Sequence, residues 1–124
     1  MPKIIAVDLD GTLAKTTTDG TIGSPIKAMV DRVNEWHNAG REVVIFTARG
    51  DAQYRNIQAW LKNNGMPSLN VTNVKDAEMS EFWDNRAVHV EADTGNVCPG
   101  CAKALKKAGN HSAFSSVFSE FTDC

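Results

Sequence analysis

The stretch Ile4-Ile5-Ala6-Val7-Asp8-Leu9-Asp10-Gly11-Thr12-Leu13 decides how this chain folds. It opens with an apolar, largely β-branched run, the composition of a strand buried on both faces. Side chains alternate along a strand, so Asp8 and Asp10 start from the same face while Leu9 turns away. Gly11 then lets the backbone leave by a bend that a side chain would hinder. Two acids are thus held together where a core strand ends, which is where open α/β sheets bind ligands.

Neighbouring carboxylates repel, and a shared proton or an intervening cation relieves the repulsion. Oxygen-only donors suit Mg²⁺, which keeps several waters and takes substrate phosphate as a further ligand. A carboxylate beside Mg²⁺ can attack phosphorus, because the ion offsets its repulsion from an anionic substrate. A solvated turn after a strand is the competing reading of Asp8-Leu9-Asp10-Gly11, and the rest of the chain must decide.

The 124 residues suit a single packed core, and a 42% hydrophobic share is ordinary for a globular protein. Thirteen basic against fifteen acidic residues give a net charge of −2, which is no footprint for tight, non-specific nucleic-acid binding. A nucleic-acid end held through local contacts stays open as a substrate. No apolar run approaches the roughly 20 residues that span a bilayer. Met1-Pro2-Lys3 leads straight into the first strand and leaves no room for a signal peptide. A cytoplasmic protein with mostly reduced cysteines is expected.

Downstream, Ala14 to Gly23 is rich in Thr and Gly and reads as a loop, either a rim of the site or a passive connection. Ser24-Pro25 suits a helix start, with Ser24 as N-cap and Pro25 in the first turn. Ile26, Met29, Val30, Val33 and Trp36 follow at helical spacing, and Gly40 ends the helix. Glu42 to Thr47 is a second buried strand ending in a hydroxyl. Thr47 and the backbone N–H groups of Ala48 and Arg49 can donate to phosphate, and Arg49 can add a bidentate contact. By itself Thr47 is more often a strand-end cap than a ligand, and Arg49 can instead lie along the surface.

A helix over 52–64 presents Ile57, Trp60 and Leu61 inward and ends at Asn64-Gly65, before Met66-Pro67. Leu69 to Asp76 alternates as a strand and brings Lys75 to the sheet edge of Asp8, where its ammonium would offset negative charge. Glu78 to Trp83 is a polar strand ending at Asp84-Asn85-Arg86, and Ala87 to Glu91 alternates as a short one containing His89. Strand–helix repetition implies right-handed crossovers and a mostly parallel sheet with helices on both faces.

The signal changes after Glu91, which divides the chain into a core over 1–91 and an extension over 92–124. Cys98-Pro99-Gly100-Cys101 is open to a redox reading at the start of a helix over 102–108 and to a zinc reading. The remaining His111 and Cys124 fit no standard zinc spacing, so a structural pair comes first. Phe114, Val117, Phe118 and Phe121 mark an amphipathic helix over 112–121 that must cover this domain's flank or a partner.

Taken in order, Asp8-Leu9-Asp10-Gly11-Thr12-Leu13, Thr47, Lys75 and Asp84 resemble the four motifs of the haloacid dehalogenase (HAD) superfamily, over about residues 3–90. The resemblance implies a Rossmann-like three-layer α/β sandwich around a mostly parallel sheet. It also implies a Mg²⁺-dependent phosphatase acting on a phosphorylated small molecule or nucleic-acid end. Asp8 would be the nucleophile that becomes an aspartyl-phosphate, and Asp10 the acid and base. Thr47, Ala48, Arg49 and Lys75 would hold the phosphoryl group. Asp8, Asp10 (through its carbonyl) and Asp84 would ligate Mg²⁺. An Asp two residues after the nucleophile is typical of the phosphatase branches. The segments 14–23 and 49–74 leave no room for a cap domain. Asn85 departs from the pattern, because relatives of this shape carry a second acid there. The alternative is a HAD-like binding module, catalytically weak, that docks a partner through its tail.

Overall fold

The computed structural model describes residues 2–107, and the helix expected over 112–121 lies outside them. Met1–Asn85 and Arg86–Cys124 form two units. In the first, β1 (Ile4–Val7), β2 (Glu42–Phe46), β3 (Asn70–Thr72) and β4 (Met79–Trp83) make one sheet in the order β3-β2-β1-β4. Every pairing is parallel, β1 is central, and no cap is inserted among the described residues. This is the α/β class implied by the apolar run at 4–7.

Alternation sorts the core. Ile5, Val7, Val43 and Ile45 share one cluster with the buried stripes of α1 (Lys27–Asn38; Met29, Val33) and α2 (Tyr54–Asn63; Ile57, Leu61). The intervening Ile4, Ala6, Val44 and Phe46 form a smaller cluster with Met79. Strand β4, polar at Ser80 and Glu81, is an edge strand with an irregular register. Ile4 pairs with Met79 but Ile5 with Glu81, so Ser80 is an extra residue. That puts Trp83 against Trp36, ring centroids 5.0 Å apart, and Phe82 against Phe46 at 5.8 Å.

Three local expectations change. Ser24 is not the N-cap of α1. That position is Ile26, without a side-chain cap, because Pro25 pairs with Ala14 and the Ser24 carbonyl accepts the Lys15 N–H. β3 stops at Thr72, whose hydroxyl oxygen accepts the Val74 N–H at 3.0 Å and turns the chain away. A 3₁₀ turn, Asp51–Gln53, precedes α2.

In the second unit, 87–91 makes only an isolated bridge, Val90 to Val97. Asp93 and Gly95, at φ +65° and +78°, form its turn. Helix α3 (Pro99–Lys107) starts on proline, three residues earlier than expected. Cys101 is a free thiol whose sulfur accepts the His89 N–H at 3.3 Å, so Cys98 and Cys101 are not bridged to each other.

Candidate active site

The site forms at the carboxyl end of β1. The Asp8 N–H donates to the Trp83 carbonyl at 2.9 Å, which joins the ends of β1 and β4 and sets Asp84-Asn85 beside Asp8. The chain then coils, with the Leu9 carbonyl accepting from Leu13 and Ala14. Gly11, at φ +89°, makes that coil possible. It is also pressed against Asn85: a Cβ there would lie 2.5 Å from the nearest amide atom.

Arg49 reaches across from the end of β2. Its Nε donates to Asp10 Oδ2 and its Nη2 to Asp10 Oδ1, both at 2.8 Å. The same guanidinium donates to the carbonyls of Gly20 (2.8 Å) and Thr21 (3.1 Å). The loop after Ala14 is therefore tied into the site and is not a passive connection. The hydrogen bonds to Asp10, reinforced by its charge, push Arg49 above its ordinary value against the opposing effect of burial. Thr47 is buried; its oxygen accepts the Arg49 N–H at 3.1 Å, and its own O–H remains to donate. Ala48 lies exposed at the same turn.

Asn85, which the residues alone present only as a missing charge, lies at the centre. Its backbone N–H donates to Thr12 Oγ1 at 2.8 Å. Its carboxamide points one terminal atom at three oxygens, Thr12 Oγ1 (3.0 Å), Asp8 Oδ2 (3.1 Å) and the Asp10 carbonyl (3.2 Å). With nitrogen in that place the amide donates to them. With oxygen there, Thr12 can still donate, but the two Asp oxygens face a third acceptor.

That spacing also tests the implied metal. Adjacent oxygens around Mg²⁺ stand about 3.0 Å apart, √2 times a metal–oxygen distance of about 2.1 Å. The inward amide atom of Asn85 lies 3.1 Å from Asp8 Oδ2 and 3.2 Å from the Asp10 carbonyl, close to such a spacing. The donors fit the ion. Among the described residues no three His, Cys, Asp or Glu side chains converge on one point, so a seat here needs the Asp10 backbone carbonyl beside the side chains.

Lys75 stands elsewhere: its ammonium is 5.0 Å from the ring centroid of Phe82. Asp84 is exposed at the end of β4. A cleft lined by Gly11, Thr12, Ile26, Met29, Trp83, Asp84 and Asn85, about 330 Å³, opens on the Asn85 side of the site. The structure thus brings together Asp8, Asp10, Arg49, Thr12 and Asn85.

The family described as PITM 1-3, LNS2 domain, matches residues 5–94, from β1 past the Asp84-Asn85 turn. This chain belongs to the LNS2 domain family. The LNS2 domain falls in the HAD-like superfamily of phosphatases, which agrees with the motif order and the strand-end acids. A solved conserved protein from Bacteroides thetaiotaomicron is similar to this LNS2 domain in fold, with a TM-score of 0.58 at 16% identity, over 96% of this chain and 99% of that one. No curated protein matches. No helix among the described residues is long and apolar enough to cross a membrane.

Proposed function

We propose that this LNS2 domain hydrolyses phosphate monoesters in a Mg²⁺-dependent reaction through Asp8. The observation that carries the reading is that Asp8 Oδ2 and the Asp10 carbonyl oxygen both face the Asn85 carboxamide, at 3.1 and 3.2 Å, at the end of the central strand. Asp8, the Asp10 carbonyl and Asp84 would hold Mg²⁺, which when bound supplies charge neutralisation for the anionic ester. Asp8 attacks phosphorus and the bond to the ester oxygen breaks. Asp10 gives that oxygen a proton, then takes one from the water that attacks the phospho-Asp8 phosphorus, releasing phosphate.

Arg49 donates to both Asp10 oxygens, so one must be released before Asp10 can act on a leaving group. An arriving phosphate offers the same guanidinium a bidentate partner and so frees Asp10 at the right moment. Thr47 and the backbone of Ala48 would hold the phosphoryl group alongside it. Lys75 would have to leave the Phe82 ring to contribute. With no cap, the substrate class is open: a nucleotide, a polynucleotide end or another small ester.

The test is phosphate release from such a panel, with and without EDTA, by wild type and Asp8→Asn. Turnover that survives EDTA, or an Asp8→Asn protein as fast as wild type, excludes the mechanism. One observation favours a second reading, a catalytically weak binding module. Asp8 and Asp10 already have protein donors, Asn85 and Arg49, without substrate or metal. Vanadate or beryllofluoride raising the melting temperature only with Mg²⁺ would favour the enzyme, and no such stabilisation with no turnover on any ester would favour the module.

A further inference from the structure

We propose that Asn85 is a positioning residue that opens and closes the cation seat by turning its carboxamide. This rests on the reading that Mg²⁺ enters beside Asp8. Without the ion, Nδ2 faces inward and donates toward Asp8 Oδ2 and the Asp10 carbonyl, standing in for the missing positive charge. With the ion present, a half-turn about the Cβ–Cγ bond replaces Nδ2 by Oδ1, which becomes a ligand or accepts from a water on the metal. The two states need the same shape, because an amide nitrogen and oxygen occupy nearly the same volume.

Asn85 is exposed at the cleft, and its contacts tether it on the side of Gly11 and Thr12. Asn85 is pinned through its own N–H to Thr12 Oγ1 at 2.8 Å. Gly11 closes on its amide so tightly that a Cβ would meet it at 2.5 Å. Thr12 Oγ1 serves both orientations, accepting from Nδ2 or donating to Oδ1, since a hydroxyl does either. An aspartate at this position could not do this, being an acceptor on both oxygens. Asn85 is therefore more than a lost acid: it removes the repulsion of the metal-free site at a cost in metal affinity.

The experiment compares wild type, Asn85→Asp and Asn85→Ser by Mg²⁺ calorimetry, by melting with and without Mg²⁺, and by the side-chain NH₂ signals in a ¹⁵N spectrum. The Asn85 pair, identified by its loss in both variants, should shift on adding Mg²⁺, while the backbone signals of α1 and α2 stay. Asn85→Asp should bind Mg²⁺ at least tenfold tighter and melt lower than wild type when metal-free. Asn85→Ser should melt lower metal-free as well and bind Mg²⁺ at least tenfold more weakly. Wild-type Mg²⁺ binding with no movement of the Asn85 signal, or equal Mg²⁺ affinity in all three proteins, overturns the role of Asn85 and leaves the metal reading standing. No Mg²⁺ binding by any of them overturns both.

Discussion

Replacing Arg49 tests how the two halves of the site are joined. Arg49→Ala removes two charge-assisted bonds to Asp10, each 2.8 Å, and two to the carbonyls of Gly20 and Thr21. The carbonyls belong to exposed residues and rehydrate, so their loss contributes little. The pair itself is 16% exposed on the Arg49 side chain and 36% on Asp10. A fully buried pair of this kind would cost about 3–5 kcal/mol when broken. Water reaching Asp10 screens much of that, and about 1–2 kcal/mol is expected. For a chain of this size that lowers the melting temperature by roughly 4–8 °C. Arg49→Lys should recover less than half, because an ammonium cannot make the fork. Arg49 itself adds no pH dependence between pH 5 and 9. Its folded value is raised, so its contribution persists below the unfolded value and fades only above it, in strong alkali. Scanning calorimetry on the three proteins is the assay. An Arg49→Ala midpoint within a degree of wild type, or one more than 15 °C lower, would refute this accounting.

Other positions give independent checks. Gly11→Ala should lose about 2–4 kcal/mol by denaturant titration, because a left-handed φ costs a non-glycine residue about 1–2 kcal/mol and the new Cβ displaces the Asn85 amide. A loss under 1 kcal/mol would mean the turn relaxes freely. Ile57→Ala, fully buried between α2 and the sheet, should lose about 2–5 kcal/mol, with the melt remaining cooperative. The Asp19 carboxylate accepts from the Thr21 hydroxyl (2.6 Å) and N–H (3.1 Å), which hold it below its ordinary value. Its contribution is present above the ordinary carboxylate range and lost as pH falls through the lowered value. The Thr21 amide signal should stay constant from pH 7 to about 5 and move below about pH 4. A pH-independent signal, or one that still moves in Asp19→Asn, would count against the contact.

By itself the sequence determined the class of fold. Local rules suffice for that: Ile4 to Val7 is a short, largely β-branched apolar run of strand length, and the stripes at Met29/Val33 and Ile57/Leu61 repeat at helical spacing. The order of polar strand ends was enough to bring the HAD-like superfamily into view, though not the LNS2 family within it. The site's wiring came only from tertiary structure, because it joins residues 39 positions apart, Arg49 to Asp10, and 73 apart, Asn85 to Thr12. No periodicity carries such pairings. The register slip at Ser80 was hidden for the same reason, since a bulge is defined by the partner strand. Asn85 shows the limit most plainly. Residue type marks it as an acid replaced, and only the closure of β4 onto β1 sets its carboxamide between Asp8 and the Asp10 carbonyl.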